Sequence, residues 1–117
     1  MKLDMNCEIL DLNGDPIPNA DGSPLTLRTI IIGATMNLSP EESNRLSGEQ
    51  KLNNYQIASK AKNEDNPSFS LEEMNTIKTS VGKRFMPIVV GRVWGILEDN
   101  DNAPKIEENE IKNGVVN

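Results

Sequence analysis

Two apolar-striped segments meeting at a proline constrain this chain more than any other feature. They fill SLEEMNTIKTSVGKRFMPIVVGRVWGILE, from Ser70 to Glu98. In the first, Leu71, Met74, Ile77, Val81 and Phe85 recur at three- and four-residue steps, which puts them on one helix face. Ser70 and Glu73 supply a capping box at its start. Gly82 and Pro87 interrupt the pattern. Pro87 removes a backbone donor and disfavours helix at Met86, yet it suits the first position of a new helix. Ile88, Val89, Val90, Val93, Trp94, Ile96 and Leu97 follow, apolar nearly all round. This second segment is expected to be the most buried element, with Trp94 in the core. Gly91 and Gly95, four apart, would let another helix approach closely.

Ahead of this pair the chain reads as turns, then helices. Leu3, Met5, Cys7 and Ile9 alternate, the pattern of a strand with one buried face. Asn13-Gly14 signals a hairpin, and Pro16 confines any returning strand to an edge. Asn13-Gly14-Asp15-Pro16-Ile17 is echoed eight residues later by Asp21-Gly22-Ser23-Pro24-Leu25, which predicts a compact meander of turns. Thr26 can cap a helix over 27–36, where Leu27, Ile30, Ile31 and Ala34 share a face and Asn37 provides a stop. The β-branched run TIIIGAT also suits a strand, so helix is favoured and strand stays open.

Two further helix starts follow, at Ser39-Pro40-Glu41-Glu42 and Ser47-Gly48-Glu49-Gln50. The second helix should run to about Lys62, with Leu52, Tyr55, Ala58 and Ala61 as the sparse apolar face of a surface helix. Residues 63–68 read as a loop. From Asp99 the sequence DNDNAPKIEENEIKNGVVN is poor in apolar residues and reads as a disordered acidic tail. The expected fold is α+β and mostly α. A short N-terminal β-hairpin and turn meander leads into a cluster of three to four helices, one domain over 1–98, with the tail over 99–117.

Composition narrows the function classes. The chain has 117 residues, 36% apolar and 3% aromatic, with Tyr55, Phe69, Phe85 and Trp94 as its only rings. Its core must rest on Ile, Leu, Val and Met, and a homo-oligomer would supplement so modest a core. Net charge is −6, and residues 71–98, with three acids and four bases, form the one region of positive balance. No Lys/Arg cluster suits a phosphate backbone, so direct nucleic-acid binding is not expected. Cys7 is the single cysteine and His is absent. That excludes an intrachain disulfide and a Cys/His zinc site. No apolar run approaches the ~18 residues of a membrane span, so a soluble, intracellular protein without membrane contact is expected.

The residue types that carry catalytic chemistry are few and lack the spacing it requires. Asp11, Asn13 and Asp15 copy the first half of a calcium loop, but Pro16 and Gly22 stand where its Gly and Glu belong. No glycine spacing makes a phosphate loop. Without His, Cys7 lacks its usual activating base and reads as a small apolar residue. Glu72 and Glu73 fall where a helix start favours acids. No catalytic residue, metal ligand or cofactor is therefore expected. The basic group Lys78, Lys83, Arg84 and Arg92 has two readings. One is a solvated face with helix-end charges; the other is a rim beside Trp94 that binds an anion or an acidic group. On the second reading the candidate binding residues are Trp94, Arg92, Lys83, Arg84 and Phe85.

The paired DGxP-type turns, Leu25-Thr26-Leu27, Leu46-Ser47-Gly48-Glu49 with Lys51, and the closing block also occur together elsewhere. That block comprises Ile77-Lys78, Val81-Gly82-Lys83, Phe85, Pro87-Ile88-Val89-Val90-Gly91, Trp94 and Leu97-Glu98. Over residues 8–98 the chain resembles a family of small proteins of tailed bacteriophages and prophages. The resemblance implies phage origin and a one-domain architecture, and it transfers no catalytic residue. The expected function is a non-enzymatic, phage-encoded accessory protein in the host cytoplasm. It would hold a host or phage protein, for instance to inhibit a host defence or regulatory system. The alternative is a virion assembly or assembly-chaperone role.

Overall fold

The computed structural model describes residues 2–102. Five helices follow one another: α1 (Leu27–Met36), α2 (Pro40–Arg45), α3 (Gly48–Asn63), α4 (Leu71–Arg84) and α5 (Pro87–Asn102). Residues 27–36 are helix, which decides between the two readings of the TIIIGAT run. Local chemistry sets the boundaries. Thr26 accepts a hydrogen bond from the Thr29 N–H, and Ser39, Ser47 and Ser70 each open a helix with a reciprocal capping box. Caps of this kind contribute ~1 kcal/mol each. Asn37 closes α1, its N–H donating to the Gly33 carbonyl.

The core is centred on α1. Leu27, Ile30, Ile31 and Ala34 are fully buried. α1 packs most extensively on α3 and then on α4, while α4 pairs with α5. Leu3, Met5 and Ile9 enter the same cluster from the N-terminal segment, and Phe69 from the α3–α4 loop. Arg28 fastens these pieces. Its guanidinium donates to the carbonyls of Ala61 and Glu64 and to the side chains of Asn6 and Asp65.

The N-terminal meander is built around a ring of three backbone hydrogen bonds. Ile17 N–H donates to the Ile9 carbonyl, Leu25 N–H to that of Ile17, and Ile9 N–H to that of Leu25. Each bond begins a two-bond arm: Asp11 N–H to Asp15 O, Asn19 N–H to Ser23 O, and Leu27 N–H to Cys7 O complete the three. Gly14 and Gly22 take positive φ at the tips of the first two arms, a region open to glycine at little cost. The eight-residue echo in the sequence is thus a structural repeat.

Several expectations are corrected. Among the described residues there is no named strand, only isolated antiparallel bridges such as Leu10 with Pro16 and Pro18 with Pro24. The α+β class with a β-hairpin therefore gives way to a mostly helical fold. The arms stay short because Ile9, Ile17 and Leu25 each divide their N–H and C=O between two neighbouring arms, and the first two arms close on turns at Gly14 and Gly22. α5 continues through Asn102, so the segment expected as tail from 99 begins inside a helix; the rest of that expectation lies outside the described residues. α5 buries Val89, Val93 and Leu97 and leaves Pro87, Gly91 and Trp94 exposed. It is not the most buried element; α1 is. In α3 the buried set is Asn54, Ile57, Ala58 and Ala61, while Leu52 and Tyr55 face solvent. Leu71, expected on the buried face of α4, is also exposed.

Candidate functional site

α4 runs through Gly82 to Arg84, and that glycine seats the only Trp. A Cβ at position 82 would lie 3.3 Å from Trp94 Cζ2. With no side chain there, the indole lies against the α4 backbone and its Nε1–H donates to the Lys78 carbonyl at 3.1 Å. Lys78 Nζ stands 5.1 Å from the ring centroid and pairs with Glu98 at 3.3 Å. Trp94 is nonetheless 36% exposed, which corrects its expected place in the core.

Beside Trp94, Pro87, Gly91 and Gly95 recur at four-residue steps and share one side of α5. A Cβ at Gly91 or Gly95 would meet nothing within 4 Å. Among the described residues no helix makes the close approach that the two glycines permit. On the other flank Arg92 is occupied. Its Nε and Nη2 donate to the carbonyls of Leu10 and Asp11, at 3.0 and 2.6 Å, and tie α5 to the first N-terminal arm.

Across the outer face of α4 lies a groove of about 480 Å³, walled by α2, the first half of α3 and α4, with Leu38 and Leu46 in its lining. Arg45, Lys83 and Arg84 line it, with the side-chain amides of Gln50, Asn53 and Asn75. Arg84 is largely buried. Its Nη2 pairs with Glu42 at 2.9 Å and its Nη1 donates to the Ser80 carbonyl. Its Nε is buried without an acceptor among the described residues. Glu42 is held below the usual carboxylate range by the Ser39 N–H, and further by Arg84. Among the described residues the bond to Arg84 is the one polar side-chain tie between α2 and another helix, and α2 buries no residue.

The five sequence-derived binding residues therefore do not converge. Trp94 sits on the α4–α5 seam, Arg92 braces the N-terminal arm, and Lys83 and Arg84 line the groove. Phe85 is half-buried against the core, its ring tip 3.6 Å from where a Gly33 Cβ would be. The groove was missed as a unit. Its one signal in the sequence is the row Asn75, Thr79 and Lys83 at four-residue steps, polar and exposed throughout. Burial pushes the Cys7 thiol above its ordinary value, as do Asp4 and Glu8, so at neutral pH it is not a thiolate nucleophile. No group of three or more Cys, Asp or Glu among the described residues could hold a metal ion. No described helix is long and apolar enough to cross a membrane. Comparison with protein-family models, curated proteins and solved structures finds no match.

Proposed function

We propose that this chain is a non-enzymatic accessory protein, of the phage kind its motifs resemble, that binds another protein in the host cytoplasm through the outer face of α5. One observation carries the reading. Gly91, exposed, and Gly95, half-buried, stand inside a helix, where each costs ~1 kcal/mol relative to Ala. A Cβ at either would meet no other described atom within 4 Å. Two such costs on one helix side, next to an exposed Trp, make sense if a partner backbone comes close there. Trp94 then supplies the kind of anchor that dominates protein interfaces.

The test is affinity capture from infected host lysate with the full chain and with Gly91→Leu, which fills the lane. The wild type should retain a partner that the variant loses. Equal capture by both would remove α5 from the interface. Light scattering on the purified chain separates the two versions of the reading. A monomer or dimer fits an inhibitor of one host protein, and a large closed assembly fits a virion-assembly role.

A further inference from the structure

We infer that the groove between α2, α3 and α4 receives an extended acidic segment of a partner protein. The inference rests on the reading of this chain as a protein binder, but it concerns a different surface from the α5 lane. The charge argument comes first. In a chain of net charge −6, three cations line one cavity. Arg45 and Lys83 are exposed, and neither forms an ion pair or side-chain hydrogen bond among the described residues. Arg84 is 17% exposed, with one carboxylate partner and one orphaned N–H. A buried donor without an acceptor is costly, and a guanidinium fork matches carboxylates in particular. Glu42 already shows what the fork accepts; a partner's carboxylate would take its place or share it.

Shape and lining favour a peptide over a compact anion. From Asn75 to Lys83 the wall spans eight residues of helix, or ~12 Å, enough for about four residues of extended chain. The amides of Gln50, Asn53 and Asn75 and the Thr79 hydroxyl offer donors and acceptors together, as a peptide backbone requires. No aromatic ring lines the groove, so a nucleobase would find no stacking surface. Glu72 lines the groove one turn before Asn75, away from the cations. The bound segment therefore places its acids toward Lys83 and a neutral or basic residue toward Glu72, with Leu38 and Leu46 offering a surface for one apolar side chain.

The experiment titrates the full chain, at low salt, into fluorescein-labelled ten-residue peptides. One set carries an Asp/Glu doublet followed by Lys, and the control set has those charges reversed. Fluorescence polarisation reads affinity and backbone amide shifts read location. Doublet peptides should bind saturably and move the amides of residues 75–83. Arg45→Glu with Lys83→Glu should weaken binding at least ten-fold. Both side chains are exposed and unpaired, so the variant should melt like the wild type. Gly91→Leu should leave peptide binding unchanged. The inference is overturned if no doublet peptide saturates, or if the charge reversals leave affinity unchanged. Loss on Gly91→Leu instead would move the peptide site to α5. Tight binding of inorganic pyrophosphate that displaces the peptides would make the groove a small-anion site and sink the peptide reading. Failure of lysate capture beside success here would discredit the α5 lane alone.

Discussion

Trp94 shows how one absent side chain decides the place of another. Its apolar neighbours in sequence point to burial, and nothing local to it indicates otherwise. Gly82, twelve residues earlier, opens the α4 backbone so that the indole can lie on it, half in and half out. A fully buried Trp truncated to Ala costs ~3–5 kcal/mol. With a third of its surface already in water and one net hydrogen bond to lose, Trp94→Ala should cost only ~1–2 kcal/mol, read as a modest fall in melting temperature. Glu73 is a different case, legible from its spacing to Ser70. Burial opposes its ionisation, yet the Ser70 N–H and Lys60 outweigh that and lower its pKa below the ordinary value. A carboxyl with a lowered folded pKa contributes stability that is present above its unfolded pKa. That stability is lost as pH falls through the folded value. Glu73→Gln should therefore cost ~1 kcal/mol at pH 7, and the gap to wild type should begin to close as pH falls below ~4.3 and vanish only below the lowered folded pKa.

At the scale of elements, helix starts were easy to read and helix faces were not. Each Ser-initiated helix begins where its capping box predicts, because the cap is satisfied within four residues of sequence. The buried side of α3 could not be found that way. Its apolar residues are too few to define a stripe, and Asn54 is drawn inward by the Thr35 carbonyl of α1. Only packing against α1 sets that rotation. Replacing Gly91 or Gly95 with Ala should raise stability by up to ~1 kcal/mol each, since the new methyl meets nothing. The same changes should weaken partner capture. Stabilised variants with undiminished capture would leave the two glycines without a purpose. α2 depends on Glu42 and Arg84, so Glu42→Gln should speed amide hydrogen exchange within 40–45 while the rest of the molecule exchanges as before.

For the whole molecule, arginine performs much of the joining that aromatic rings perform in other small proteins. Arg28 links α1 to the end of α3 and to the N-terminal segment through four groups, and Arg92 links α5 to the first arm. Arg28→Ala should cost ~2 kcal/mol, because it strands the part-buried Ala61 carbonyl as well as losing charge-assisted bonds. A chemical denaturation curve would register it. Neither role was visible beforehand, since both arginines reach partners more than twenty residues away. The predominance of helix, by contrast, was legible from caps and periodicity, while the N-terminal segment was read as a hairpin. A circle of three donors and acceptors also says something about ancestry and tinkering. Excising one eight-residue loop would leave Ile9 and Leu25 facing each other in a plain reciprocal pair, the ordinary antiparallel arrangement. Copying the loop once more would keep every later residue in phase. Such a motif can grow or shrink by whole units without disturbing the helices behind it, which is how tandem duplication could have produced it.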